Sequence, residues 1–173
     1  MFNFDIIFVA GAHGVGKGYF CSEIEKEIGL PIFSASTLIK DVKKSAVDIG
    51  KRVIDPDQNQ DYLITAISNI NTPSKTIILN GHFCLYDGNK IIEVELNVFK
   101  SMPLSSIIIL FDDPQVLYER LKDRDGKSLD IDIINALQNK ELELGKITAN
   151  QLNIPLLISS SSQSSEVLHW IVR

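Results

Sequence analysis

The residues best suited to phosphate chemistry lie between positions 11 and 18. This segment reads Gly-Ala-His-Gly-Val-Gly-Lys-Gly, so four residues separate Gly11 from the pair Gly16-Lys17. Glycines let the backbone wrap tightly with its N–H groups turned inward, where side chains would block an anion. A lysine at the end of such a loop reaches the outer phosphates of a nucleotide. The spacing therefore predicts a phosphate-binding P-loop.

The elements around this loop are those that a P-loop requires. An apolar run at 6–10 precedes it and predicts a strand, and an amphipathic helix is predicted over 16–28. Phe20, Ile24 and Ile28 recur every four residues and mark the buried face of that helix. The positive end of the helix points back at the loop. A glycine turn that only happens to match the spacing is the alternative, and the strand–loop–helix order argues against it.

Composition limits the classes of protein to which the chain can belong. The 173 residues are 45% hydrophobic and 23% charged, which is ordinary for one globular domain. We therefore expect a single domain over 1–173. The net charge of −5 argues against broad binding to nucleic acid. The longest apolar runs, such as 107–111, are far shorter than the ~20 residues of a membrane span.

The two cysteines and the N-terminus indicate a cytoplasmic protein. The N-terminus lacks the basic start and small-residue cleavage site of a secretion signal. Cys21 and Cys84 show no metal-binding spacing. We therefore expect both to be reduced, buried thiols.

Further strands and helices alternate along the chain. Apolar runs predict strands at 31–33, 76–79, 107–111 and 155–159, and a half-exposed extended segment at 92–96 follows a turn at 87–89. Helices are predicted from about 34, from Asp55-Pro56 to about 70, at 97–102, from 114, over 130–153, and after the serine run 159–162. A charged loop is expected at 122–129, and no clear element at 43–55. Within 130–153 the expected buried residues are Ile134, Leu137, Leu144 and Ile147.

Apolar strands that alternate with helices predict an α/β fold, with a parallel sheet covered on both faces. Ligands of such sheets bind beyond the carboxyl ends of the strands. We therefore expect the residues that follow the first, third and fourth predicted core strands to meet in one crevice. These residues are His13, Asn80, His82, Asp112 and Asp113.

Several of these motifs, in this order, resemble adenylate kinases of the archaeal type. The P-loop ends in Gly-Lys-Gly, and 34–40 lies where that family has a Ser-Thr-Gly-Asp-Leu-Leu-Arg type sequence. Residues 80–82 resemble its Asp-Thr-His segment, while 112–114 and the arginines at 120 and 124 resemble its Asp-Pro helix and short lid. The resemblance runs from residue 6 to about 160. It implies a five-stranded P-loop α/β/α sandwich, ATP with Mg²⁺, and phosphoryl transfer to a nucleoside monophosphate.

The resemblance also implies roles for single residues. Lys17 would hold the ATP phosphates, and Arg120 and Arg124 would close over the transferred group from a lid at about 120–129. The serine loop after the fifth core strand would lie beside adenine. An acceptor segment at about 34–72 would contribute Ser36 and Lys40, together with His82. Asp112 and Asp113 would hold Mg²⁺ through water. The nucleotide-binding loop comprises Gly11, Ala12, His13, Gly14, Val15, Gly16, Lys17, Gly18 and Tyr19.

Simpler roles remain open for several of these residues. Asp112 or Asp113 can cap the following helix. His82 can be a structural histidine, and His13 can simply fill space. Arg120 and Arg124 can be solvated charges. Other basic residues near Lys40 can hold an acceptor phosphate instead, namely Lys43, Lys44, Lys51 and Arg52.

Three departures from the family pattern favour a second function. Gly18 and Tyr19 provide no serine or threonine hydroxyl after Lys17, Asn80 stands where an aspartate is expected, and the lid is short. These features suit an ATP-gated binding module, or a slow ATPase, that regulates a protein or RNA partner. A kinase for another small acceptor is a third possibility. No membrane partner is expected.

Overall fold

The computed structural model describes residues 2–48 and 58–172. Seven strands and seven helices lie within these ranges. In chain order they are β1 (Asp5–Ala10), α1 (Lys17–Ile28), β2 (Ile32–Ser34), α2 (Ala35–Asp48), α3 (Gln58–Ser68), β3 (Thr76–Asn80), β4 (Cys84–Tyr86), β5 (Ile91–Glu93), α4 (Leu96–Lys100), β6 (Leu104–Leu110), α5 (Pro114–Asp125), α6 (Ile131–Leu152), β7 (Leu156–Ser159) and α7 (Ser164–Ile171).

Five parallel strands form the central sheet in the order β2–β3–β1–β6–β7. The central strand β1 pairs with β3 from Asp5 opposite Thr76 and with β6 from Ile6 opposite Leu104. Strand β1 is buried from Ile6 to Ala10, as expected for a strand covered on both faces. The predicted five-stranded α/β sandwich is confirmed.

Alternate residues of the sheet strands belong to two separate apolar cores, one on each face of the sheet. Ile7 and Val9 face one core with Phe20 of α1, whereas Ile6 and Phe8 face the other. This division follows the two-residue period of a strand. The second core includes a cluster of three aromatic rings, in which Phe8, Phe83 and Phe99 have centroids 4.6–5.4 Å apart.

A small antiparallel hairpin, β4–β5, extends from the end of β3. The predicted turn at 87–89 lies between its strands, where Asp87 Oδ1 accepts hydrogen bonds from the N–H groups of Asn89 and Lys90, both at 2.8 Å. The sequence predicted the turn and one extended segment but not their pairing.

Three predicted details are wrong. Helix α5 continues to Asp125, so the charged loop begins later than position 122, because Gly126 at φ 72° ends the helix. Helix α2 reaches Asp48 although no clear element was expected from 43. Ile147 is 45% exposed because it lies beside the buried stripe of α6, which contains Gly145 and Thr148 instead. The predicted helix start at Asp55-Pro56 lies outside the described residues.

Candidate active site

The loop from Gly11 to Gly16 joins β1 to α1 and has the conformation of a phosphate cradle. Gly11, Gly14 and Gly16 have φ angles of 144°, 84° and 94°, which residues that carry a side chain rarely adopt. A Cβ on Gly11 would lie 2.6 Å from the Leu110 carbonyl oxygen, and one on Gly16 would lie 3.0 Å from Ser161 Oγ. The serine loop after β7 therefore borders the P-loop. The cradle depends on glycines at these positions.

Some side chains of the loop are buried in the core, and others line the cleft. Ala12 and Val15 are buried in the apolar core, so only their backbone groups are available to a ligand. His13, Gly18 and Tyr19 line the cleft in front of the loop, and Tyr19 is exposed.

Lys17 lies folded against its own loop. Its ammonium is buried, and Nζ donates to the Gly11 carbonyl at 2.6 Å and to the Ala12 carbonyl at 3.2 Å. Burial lowers the pKa of Lys17 to about 8, and the negative charge of Glu141 opposes this shift. The residue with the clearest predicted role therefore has two carbonyl acceptors within its own loop.

A histidine pair lies between the loop and the end of β3. The rings of His13 and His82 have centroids 4.3 Å apart. Loss of hydration lowers the pKa of His13 to about 4 and lowers that of His82, and the nearby Lys17 charge acts in the same direction on both. Both histidines are neutral at pH 7 for this reason.

Glu141 of α6, which the sequence analysis missed, supports His82 from beneath. Its side chain is 1% exposed, Oε2 accepts from the Phe83 N–H at 3.0 Å, and Oε1 lies 3.2 Å from His82 Nδ1. The signal that could have found it is its position on the same helical stripe as the buried Ile134 and Leu137. A carboxylate on such a stripe requires polar partners.

Asp112 and Asp113 have different positions and different partners. Asp113 caps α5, because its Oδ1 accepts from the Gln115 N–H at 2.7 Å. Asp112 Oδ2 instead lies 3.3 Å from Arg120 Nη2. The other terminal nitrogen of Arg120, Nη1, donates to the Val15 carbonyl at 3.4 Å. The structure thus brings Asp112 and Arg120 to the edge of the P-loop.

Arg124 lies one helical turn beyond Arg120 and also lines the cleft. Its guanidinium donates from Nε and Nη2 to the two carboxylate oxygens of the adjacent Asp125, at 2.8 and 2.7 Å. The side chain is mostly exposed. These two bonds leave Nη1 of Arg124 without a partner in the pair, so the guanidinium can contact a ligand from that nitrogen or by leaving Asp125.

One cleft of about 930 Å³ runs from the P-loop past the end of β3. Its cationic end is lined by Lys17, Arg120 and Arg124. Its other end is mainly apolar and is lined by Phe8, Ala35, Ile39, Leu63, Leu85, Ile92, Val94, Val98, Phe99 and Met102, with Glu93 and Glu95 beside them.

Two of the three residues predicted to bind the acceptor line this cleft, and the third does not. Ser36 and His82 line it, and Ser36 Oγ lies 3.0 Å from Ser34 Oγ. Lys40 is exposed on α2 and does not line the cleft. Of the other basic candidates, Lys43 and Lys44 lie on α2 and do not line the cleft, and Lys51 and Arg52 lie outside the described residues.

The carboxylates near the P-loop could contribute to a Mg²⁺ ion bound together with a nucleotide, but they could not hold the ion by themselves. Among residues 2–48 and 58–172, no group of three or more His, Cys, Asp or Glu side chains is placed to hold a metal. Magnesium in nucleotide sites is held largely by phosphate oxygens and water, with one or two carboxylates. Of the two aspartates predicted to hold the ion, Asp112 is the one that does not cap a helix, and it pairs with Arg120 at the edge of the P-loop.

In the part of the chain that the structure describes, no helix combines the length and the apolar character that crossing a bilayer requires.

Comparisons with known proteins find similar solved structures and one matching family. Shikimate kinase from Bacteroides thetaiotaomicron superposes with a TM-score of 0.56 at 12% identity, over 96% of this chain and 96% of that chain. A gluconokinase from Sinorhizobium meliloti 1021 gives a TM-score of 0.49 at 16% identity, over 97% and 89% of the two chains. No curated protein matches the sequence. A family model described as an AAA domain matches residues 10–138, well over half of the 173 residues. The chain therefore belongs to this AAA-domain family and has the fold of a P-loop kinase.

Proposed function

We propose that this protein is an ATP-dependent phosphotransferase, with a nucleoside monophosphate as its acceptor. One observation carries the proposal: a single cleft joins a P-loop flanked by Lys17, Arg120 and Arg124 to a mainly apolar end. Phosphoryl transfer needs a donor and an acceptor held end to end with their charge neutralised. The cleft provides space for both.

At the cationic end, the P-loop amides and Lys17 would hold the triphosphate. Lys17 would leave the carbonyls of Gly11 and Ala12 and turn to the outer phosphates. Arg120 and Arg124 would leave their carboxylate partners and neutralise the transferred group. Bound Mg²⁺ would neutralise further phosphate charge, with Asp112 as its carboxylate contact.

At the apolar end, the acceptor base would pack against Val98, Phe99 and Met102, because flat, weakly hydrated rings are favoured on such surfaces. Ser36 and His82 would face the acceptor phosphate from the middle of the cleft. The adenylate-kinase resemblance makes AMP the first acceptor to test. An ATP-consuming role of this kind suits the cytoplasmic location predicted from the sequence.

The test is a coupled assay of ADP production with ATP, Mg²⁺ and each nucleoside monophosphate in turn, with a K17A variant as the inactive control. We expect at least one acceptor to raise ADP production above the acceptor-free rate. If neither a monophosphate nor a hydroxyl acceptor without phosphate does so, the phosphotransferase proposal fails. If only the latter does so, the nucleotide acceptor is wrong.

The second candidate is an ATP-gated binding module that regulates a protein or RNA partner. The observation that favours it is the set of contacts at the cationic end, where no hydroxyl follows Lys17 and both lid arginines are already paired with carboxylates. It predicts slow hydrolysis of ATP that no acceptor accelerates, and a partner whose affinity changes with ATP. Fast transfer to any small acceptor would argue against this function.

A further inference from the structure

The two ends of the cleft carry opposite charge. Its cationic end is lined by Lys17, Arg120 and Arg124, whereas the charged side chains at its apolar end are the carboxylates of Glu93 and Glu95. Among the described residues that line the apolar end, no side chain carries a hydrogen-bond donor. A ligand that spans the cleft is therefore matched by an anionic group at one end and a hydrogen-bond donor at the other.

The hairpin β4–β5 presents a pair of apolar side chains to the cleft. Leu85 and Ile92 lie directly opposite each other in the two strands, so their side chains share one face of the hairpin. They are 45% and 44% exposed, and both line the cleft. The buried Val98 and Phe99 line the same end of the cleft. A flat ring that covered these side chains would remove apolar surface from water.

The two glutamates at this end differ in what they contact. Glu93 lies on the opposite face of the hairpin from the apolar pair, and its Oε1 lies 3.2 Å from Lys140 Nζ of α6. Glu95 is the N-cap residue of α4, but its side chain makes no capping hydrogen bond to the helix. In the part of the chain that the structure describes, Glu95 forms no ion pair. Its carboxylate is therefore the acceptor that a ligand can reach.

We propose that the acceptor is a nucleoside monophosphate whose base carries an exocyclic amino group, and that Glu95 selects this base. The base would cover Leu85 and Ile92, its amino group would donate to the Glu95 carboxylate, and its phosphate would face the cationic end. A carbonyl oxygen at the same ring position would meet the carboxylate as a second acceptor and be repelled. This inference rests on the proposed function, to which it adds a class of base and a specificity-determining residue.

The test compares monophosphates that carry either an amino group or a carbonyl oxygen at one ring position, namely AMP with IMP and CMP with UMP. Calorimetry on the full chain with a non-hydrolysable ATP analogue measures their dissociation constants, and the coupled assay measures their KM values. We expect the amino member of each pair to bind at least about tenfold more tightly, because the other member exchanges a hydrogen bond to a charged group for a repulsive contact. Equal or tighter binding of the carbonyl member in either pair would overturn the proposal.

The variant E95Q tests the residue itself. Its amide can accept from an amino group and donate to a carbonyl oxygen, so it should bind the two members of a pair to within about threefold. Glu95 is exposed, and the substitution removes no buried contact. E143Q is the control, because Glu143 is an exposed carboxylate that pairs with Lys140, and it should keep the wild-type preference. A preference in E95Q as large as that of the wild type would overturn the assignment of Glu95.

A second variant separates the apolar contact from the selection of the base. L85A should weaken the binding of AMP and IMP by the same factor, about three- to tenfold, because it removes apolar surface that either base would cover. Ribose 5-phosphate, which has no base, should show no difference between L85A and the wild type. Unchanged affinity of L85A for AMP would overturn the proposed position of the base.

The same measurements separate this inference from the function on which it rests. If all four monophosphates bind with equal affinity and are phosphorylated, only the selection by Glu95 is refuted. If none of them binds or accepts a phosphoryl group, the nucleotide acceptor and its selection are both refuted.

Discussion

Gln138 binds both backbone groups of Asp112, the second residue after strand β6. Its Oε1 accepts from the Asp112 N–H at 3.1 Å, and its Nε2 donates to the Asp112 carbonyl at 2.8 Å. The Gln138 side chain is 1% exposed. Helix α6 therefore fixes the residue whose carboxylate pairs with Arg120.

Replacement of Gln138 by leucine should destabilise the protein by about 1–3 kcal/mol, because the backbone N–H and carbonyl of Asp112 would lose their partners. Urea denaturation at pH 7.5 measures this change. N139A is the control, since Asn139 lies on the exposed side of the same helix. Equal stability of Q138L and N139A would contradict this account.

Removal of the Lys17 ammonium should weaken ATP binding by about tenfold, because a charge-assisted hydrogen bond to phosphate contributes roughly 1.5–3 kcal/mol and the two carbonyl contacts that Lys17 gives up offset part of that gain. Calorimetry with K17A tests this expectation. K26A is the matched control, because Lys26 is an exposed lysine on the same helix that pairs with Glu23. Unchanged affinity in K17A would show that the P-loop has been assigned the wrong role.

Arg120 should matter for transfer more than for binding. If it neutralises charge that develops on the transferred phosphoryl group, R120A should lower kcat by about 10²–10³-fold with a smaller change in KM. Steady-state kinetics with the best acceptor measures both constants. K122A serves as the control, since Lys122 is an exposed cation on the same helix that lies over Tyr118. A rise in KM alone would place Arg120 in ground-state binding.

A methyl group at Gly145 should destabilise the fold, although alanine favours helix. An added Cβ would overlap the Ile109 side chain and approach Phe83 to 3.2 Å. We expect G145A to cost about 1–3 kcal/mol, as overpacked cores do. I109V removes the methyl group that would overlap, so the double variant should lose less stability than the sum of the single changes. Strict additivity in urea denaturation would show that this contact does not limit the helix.

The histidine pair should make the fold sensitive to acid. The folded-state pKa values of His13 and His82 lie below the ordinary value of 6.5, so as the pH falls the unfolded chain takes up protons first. Stability should therefore decrease from about pH 6.5 toward pH 4. Urea midpoints at pH 7.5, 6.5 and 5.5 measure the slope. H13Q should flatten it, whereas H169Q, at an exposed position on α7, should not.

The fold was largely predictable because its determinants are local. Apolar runs such as 107–111 identify buried strands, and glycines mark where the chain turns. The lower limit of the charged loop was wrong because Lys122 and Arg124 are good helix formers, and the helix ends at Gly126. Ile147 was misplaced because residues that are apolar in sequence can still lie one position off the buried stripe of a helix.

The P-loop was predictable in position, but its supporting residues were not. Glu141 and His82 lie 59 residues apart in the chain, and Gln138 and Asp112 lie 26 apart. The spacing of apolar residues along the sequence cannot reveal such pairs, because they form only when α6 packs beneath the carboxyl ends of the strands. Polar residues on an apolar helical stripe were the available signal.

The two carbonyl contacts of Lys17 have a consequence for how tightly the proposed nucleotide would be held. The ammonium already has two carbonyl partners within 3.2 Å. A ligand therefore gains only the difference between its own oxygens and those carbonyls, not the full strength of an ion pair. Weakly charged anions gain little from that exchange, whereas a polyphosphate gains much more. In the nucleotide site that we propose, these lysine contacts would therefore favour a polyphosphate over small cellular anions.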